Sequence, residues 1–312
     1  MRTRAVVVIV GLLAVVAAAC NSDPSNDEAI QVVATTTILG DIARNVVGDS
    51  AEVDVLMPVG ADPHDFQPSA QQAAVIQRAD LVVANGLGLE AGLSDVLESA
   101  AADGVRIWEV GPEVDPLRFS ESADDDPHGD DHETGDLDPH FWLDPLRVAR
   151  AAALFGDQLE EIAPGHDWAT GVEAYAAELF AVDESSIEAL AVVAPSDRKL
   201  VTNHRSFGYF ADRYDFEVVG TVIPGGATLA NPSSAELASL VATIQRERVP
   251  AIFTENVEPD VLAAAVAAEV GYDVEVVELY TGSLGEPGSD GDTLIKMLES
   301  NVARIAGALG AS

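Results

Sequence analysis

From Ile30 onward, short β-branched runs alternate with helical stretches, and the alternation breaks once, at two long helical segments with no strand between them. Parallel strands need a crossover of a dozen or more residues, usually a helix, so this pattern predicts parallel sheets with helices on their faces. Strands are expected over 31–35, 51–57, 81–84 and 105–108, with helices over 38–47 and 69–78. Their Val and Ile content favours strand over buried helix. Asp144-Pro145 is an N-cap and first-turn pair that opens a helix to about Ile162. A second helix runs from about Trp168 to Val193. Alternation then restarts, with strands over 199–202, 216–222, 251–254 and 274–278. Helices begin at Phe207, span 234–246 and 260–269, and close the chain from about Asp292. The expected class is α/β: two lobes with parallel sheets flanked by helices, joined by a long linking helix. Residues 30–165 form the N-terminal lobe, 166–195 the linking helix and 196–312 the C-terminal lobe.

The first twenty residues have the layout of a secretory signal. Arg2 and Arg4 precede the apolar run Ala5 to Val16, and Ala17-Ala18-Ala19 supplies small residues for cleavage. The apolar run is short of the about 20 residues that span a bilayer. Cys20, the only cysteine, follows directly, so no internal disulfide can form. The arrangement resembles a bacterial lipobox, which implies lipidation of Cys20; the plainer alternative is an ordinary signal peptide that ends in Cys. Residues 21–29 are a polar tether.

Charge narrows the partners. With 53 acidic against 16 basic residues the net charge is -37, which excludes nucleic acid and makes cations the natural ligand class. Eleven acidic residues lie between Glu113 and Asp138, together with His128 and His132, in a stretch with little that could enter a core. A loop of that length is functional or disordered.

Three of the six histidines fall near strand ends: His64 after the second strand, His140 at the close of the acidic loop, and His204 directly after the first strand of the second lobe. Ligands of open α/β sheets bind outside the carboxyl ends of strands. Neutral imidazoles converging there suit zinc or another first-row divalent ion. His166, between the two long helices, reads as a loop residue, and Trp142 as packing. Asp65 and Asp144 are candidates to orient the imidazoles, since a ligating histidine usually donates its other N–H to oxygen.

The words around these histidines carry a resemblance. Ala34 to Asp41 reads ATTTILGD, Gly60 to Ser69 reads GADPHDFQPS, and Asp138 to Pro145 reads DPHFWLDP. In this order they resemble the solute-binding lipoproteins of zinc and manganese ABC importers, the cluster that includes zinc-uptake binding proteins and adhesin antigens. The resemblance runs from about Ile30 to Ala308. It implies a periplasmic-binding-protein-like fold with a rigid linking helix, and a metal ion (zinc, or manganese) carried as cargo between the lobes. It further implies His64, His140 and His204 as ligands, a permease and its ATPase as partners, and a monomer anchored outside the cytoplasmic membrane. The acidic segment resembles the family's variable metal-capture loop, which would make His128 and His132 a secondary capture site.

One departure stands out. The family places a carboxylate where this chain has Gly282, in Tyr280-Thr281-Gly282-Ser283-Leu284. Glu255, at the end of the neighbouring strand, is the candidate substitute, and water is the other. The alternative reading of Glu255 is a carboxylate that supports a ligating imidazole from behind, or a partner of a helix N-terminus. Two other function classes stay open. Three histidines with an open position also describe a hydrolytic zinc site, although no HExxH motif is present. The third class is a surface adhesin with incidental metal binding. If imidazoles hold the ion, affinity should fall below about pH 6 as they protonate.

Overall fold

The computed structural model describes residues 30–119, 137–228 and 230–310. Cys20, the tether, His128 and His132 lie outside the described residues. The N-terminal lobe contains β1 (Ile30–Ala34), α1 (Thr37–Val47), β2 (Ala51–Val55), α2 (Ala70–Ile76), β3 (Leu81–Ala84), α3 (Ser94–Ala102) and β4 (Ile107–Glu109). Two long helices follow, α4 (Pro145–Ile162) and α5 (Trp168–Leu190). The C-terminal lobe comprises β5 (Lys199–Thr202), α6 (Gly208–Tyr214), β6 (Glu217–Thr221), α7 (Ser234–Glu247), β7 (Ala251–Glu255), α8 (Val261–Glu269), β8 (Glu275–Leu279) and α9 (Leu294–Gly310).

Each lobe carries one four-stranded sheet, ordered β2-β1-β3-β4 and β6-β5-β7-β8, and every pairing is parallel. The same order thus occurs twice, without a visible sequence repeat. Both sheets reverse direction of winding at the first strand, so the crevice beside β1 and β5 is where a ligand site is expected.

Local signals set the helix starts. Ser69 and Gln72 form a reciprocal capping box on α2, and Ser233 with Glu236 does the same on α7. Asp144 caps α4 through the Leu146 N–H, with Pro145 at the first helical position. Helix α3 lies outside the helices expected from the sequence, although Leu93, Val96, Leu97 and Ala100 recur at helical spacing and pack into one cluster.

The largest buried cluster is continuous between the lobes. It runs from Val32 and Leu39 through Tyr175 and Leu179 of α5 to Phe253, Leu298 and Ile305. Helix α5 packs on α4, α1 and α9. Asp41 of α1 accepts from the Leu294 N–H at the start of α9, 3.2 Å away. Such packing resists wide opening of the two lobes and leaves movement to the loops between them.

Candidate metal centre

The loops after β2 and before α4 deliver His64 and His140, and the turn after β5 delivers His204. All three rings are buried, at 8%, 2% and 2% exposure. His140 sits in the middle: its Nε2 is 3.3 Å from Nε2 of His64 and 3.1 Å from Nε2 of His204. Two nitrogens about 2.0–2.1 Å from a tetrahedral ion stand about 3.3 Å apart, so the triad has the spacing of zinc ligands. Among the described residues these three form the group whose ligand atoms all lie within 4.8 Å of one another.

Carboxylates fix two of the rings from behind. Asp138 Oδ1 is 2.7 Å from His140 Nδ1 and also accepts the His140 backbone N–H at 2.9 Å. Glu255 Oε1 is 2.5 Å from His204 Nδ1, while its Oε2 accepts from Thr281 Oγ1 at 2.8 Å. Each contact leaves Nε2 directed to the common centre, the arrangement that fixes tautomer and ring orientation. Trp142 donates its indole N–H to the Thr281 carbonyl at 2.8 Å and stands 5.3 Å from the His140 ring, tying the His140 loop to the second lobe.

Glu255, expected either as the fourth ligand or as support behind an imidazole, meets His204 at Nδ1. Both of its oxygens are engaged, by His204 and Thr281, and it stands behind the ring. Gly282 offers no donor either. A Cβ built there would lie 3.0 Å from Pro63 Cδ and 3.2 Å from Val257 Cγ2, so the neighbouring space is occupied by apolar groups. Asp65 and Asp144 do not orient imidazoles: Asp65 is exposed, and Asp144 caps α4 and pairs with Arg147 at 2.5 Å. Asp138 does that work, and its place in Asp138-Pro139-His140 was the available signal. His166 lies away from the triad, stacked on Trp168 at 5.0 Å. A His166→Ala variant should bind zinc as the wild type does, which calorimetry would check.

Electrostatics divide the rings. Burial, then the neighbouring His140 and His204 charges, lowers His64 to about 3. Burial also holds His140 well below the usual imidazole range and lifts Asp138 to about 7. At His204 burial again works downward, but the Glu255 carboxylate at Nδ1, with the Asp62 and Asp138 charges, outweighs it, so this ring is raised. At the rim, burial and then the Asp62 charge push Glu258 up.

Residues 32–308 match the family described as zinc-uptake complex component A, periplasmic (ZnuA). The chain belongs to the ZnuA family. Its ZnuA-family relatives include the manganese-binding lipoprotein MntA of Halalkalibacterium halodurans, 27% identical over 300 residues and covered to 94% in both chains. The zinc-binding lipoprotein AdcA of Streptococcus pneumoniae is 26% identical over 95% of this chain, which spans 59% of that longer protein. Among solved structures, the periplasmic zinc-binding protein TroA of Treponema pallidum superposes with a TM-score of 0.80 at 27% identity, covering 90% of this chain and 99% of that one. The ZnuA family is made up of solute-binding proteins, and both the two-lobed α/β fold and the resemblance drawn from the sequence agree with it.

Proposed function

We infer that the chain is the extracytoplasmic solute-binding component of an ABC importer, capturing one divalent transition metal between its lobes and delivering it to a permease driven by an ATPase. The observation that carries this reading is the convergence of three buried imidazole Nε2 atoms, two from one lobe and one from the other. His64, His140 and His204 supply the ligands, and water completes a tetrahedral shell. An all-imidazole donor set favours zinc over manganese, which prefers oxygen donors. Asp138 and Glu255 support the rings and are not placed as a free general base, so the hydrolase alternative gains nothing from the geometry.

Lipidation of Cys20 would hold this monomer at the outer face of the cytoplasmic membrane. The names of the relatives as lipoproteins support that placement. Among the described residues no helix is long and apolar enough to cross a membrane. Segment 113–138 would concentrate cations near the site, with His128 and His132 holding them weakly before transfer. Deleting 121–135 should leave the tight site intact in calorimetry; a large loss of affinity would refute that division of roles. Import itself is tested by gene deletion. Growth in zinc-depleted medium should fail, and return with the wild-type gene but not with His140→Ala. Growth indifferent to the deletion would count against an importer.

A further inference from the structure

The three imidazoles are not held alike. His140 and His204 each have a buried carboxylate against Nδ1, whereas His64 is held through its backbone. Asp62 Oδ1 accepts the His64 N–H at 2.9 Å. The same tripeptide, Asp-Pro-His, occurs at 138–140, where the aspartate also accepts the histidine amide at 2.9 Å. There the two copies diverge. The Asp138 carboxylate turns back onto its own histidine ring, while that of Asp62 reaches across to the other lobe.

Asp62 Oδ2 accepts a hydrogen bond from Thr228 Oγ1, on the loop after β6. Glu258, on the loop after β7, lies close enough to feel the Asp62 charge. Thr228 is buried at 7% exposure, so its hydroxyl bond to Asp62 is shielded from competing water. One side chain thus ties the amide of His64 to the loop between β6 and α7 of the C-terminal lobe. His64 is also the most exposed of the triad, at 8% against 2% for each of the others. An ion leaving three imidazoles gives them up in turn, and the ring without a carboxylate behind it is the one free to swing first. Because the common core of the lobes resists wide opening, this loop is the natural route of exchange.

We propose that Asp62, with Thr228, is the latch of the metal site: it holds the His64 loop against the C-terminal lobe, and its opening sets the rate of metal exchange. Asp62 acts through His64 and is a positioning residue. The proposal rests on the reading that the triad binds metal, and the test separates the two.

The chain is loaded with Zn²⁺, mixed with excess chromophoric chelator, and followed by stopped flow. Thr228→Val keeps the shape of the side chain and removes its hydroxyl; Thr228→Ser keeps the hydroxyl. Losing one buried hydrogen bond to a carboxyl group should speed release about tenfold in Thr228→Val. Thr228→Ser should release near the wild-type rate, and the thermal midpoints of the metal-free proteins should stay close together. Release from Thr228→Val at the wild-type rate, or equal acceleration in both variants, would overturn the latch. A wild-type chain that takes up no Zn²⁺ would instead remove the metal-site reading beneath it.

Discussion

Replacing His140 by alanine is expected to weaken zinc binding by more than the about 10- to 100-fold that follows loss of a carboxylate supporting a ligand. His140 is the hub of the triad, with its Nε2 within 3.3 Å of both other Nε2 atoms. Its removal leaves two imidazoles with no donor between them. It also strands the Asp138 carboxyl, which is 1% exposed and loses its ring partner. His64→Ala and His204→Ala should weaken binding heavily as well, since each removes one ligand of three. Competition against a chelator of known affinity gives the ratios, and the thermal midpoint separates lost ligation from lost folding. Affinity in His140→Ala within a few-fold of wild type would mean that the ion binds elsewhere.

The second large effect is a displaced pH profile in Glu255→Gln. Zinc requires a deprotonated Nε2 on each ring. His64 and His140 are depressed and stay neutral through the physiological range, so they do not compete with the metal for protons. His204 is different: Glu255 raises it above its ordinary 6.5 against the pull of burial. The sign follows. Affinity is full above the raised His204 value and declines as pH falls through it. Loss therefore begins at higher pH than the about pH 6 suggested by ordinary histidines. Glutamine keeps an acceptor for Nδ1–H and removes the charge, so burial then dominates and lowers His204. The pH at which affinity is half lost should move down. At high pH the variant should bind about 10- to 100-fold more weakly, because the supporting charge is gone. An unmoved pH profile would show that Glu255 does not control His204.

Much of this was legible in the sequence because the informative signals are local. Short Val- and Ile-rich runs located the strands, Ser69 and Asp144 marked helix starts, and the three Asp-Pro or strand-end contexts singled out His64, His140 and His204 from the six histidines. What escaped was decided by tertiary geometry. Helix α3 escaped for another reason: its apolar stripe of Val96, Leu97 and Ala100 spans only nine residues. Glu255 was singled out by its place at a strand end, yet only the fold could show that its carboxylate faces His204 Nδ1 and Thr281. Asp65 and Asp144 are close in sequence to their histidines but turn toward solvent and a helix terminus. The two Asp-Pro-His copies make the point most clearly: identical tripeptides use their aspartates differently because different neighbours face them.

The central claim, a single three-histidine metal site, is tested most directly by calorimetric titration of the mature chain with zinc, repeated on His140→Ala. The account predicts one Zn²⁺ per wild-type chain with sub-micromolar affinity, tighter than Mn²⁺, and loss of that step in the variant. Absence of tight binding in the wild type, or an unchanged isotherm in the variant, would contradict it.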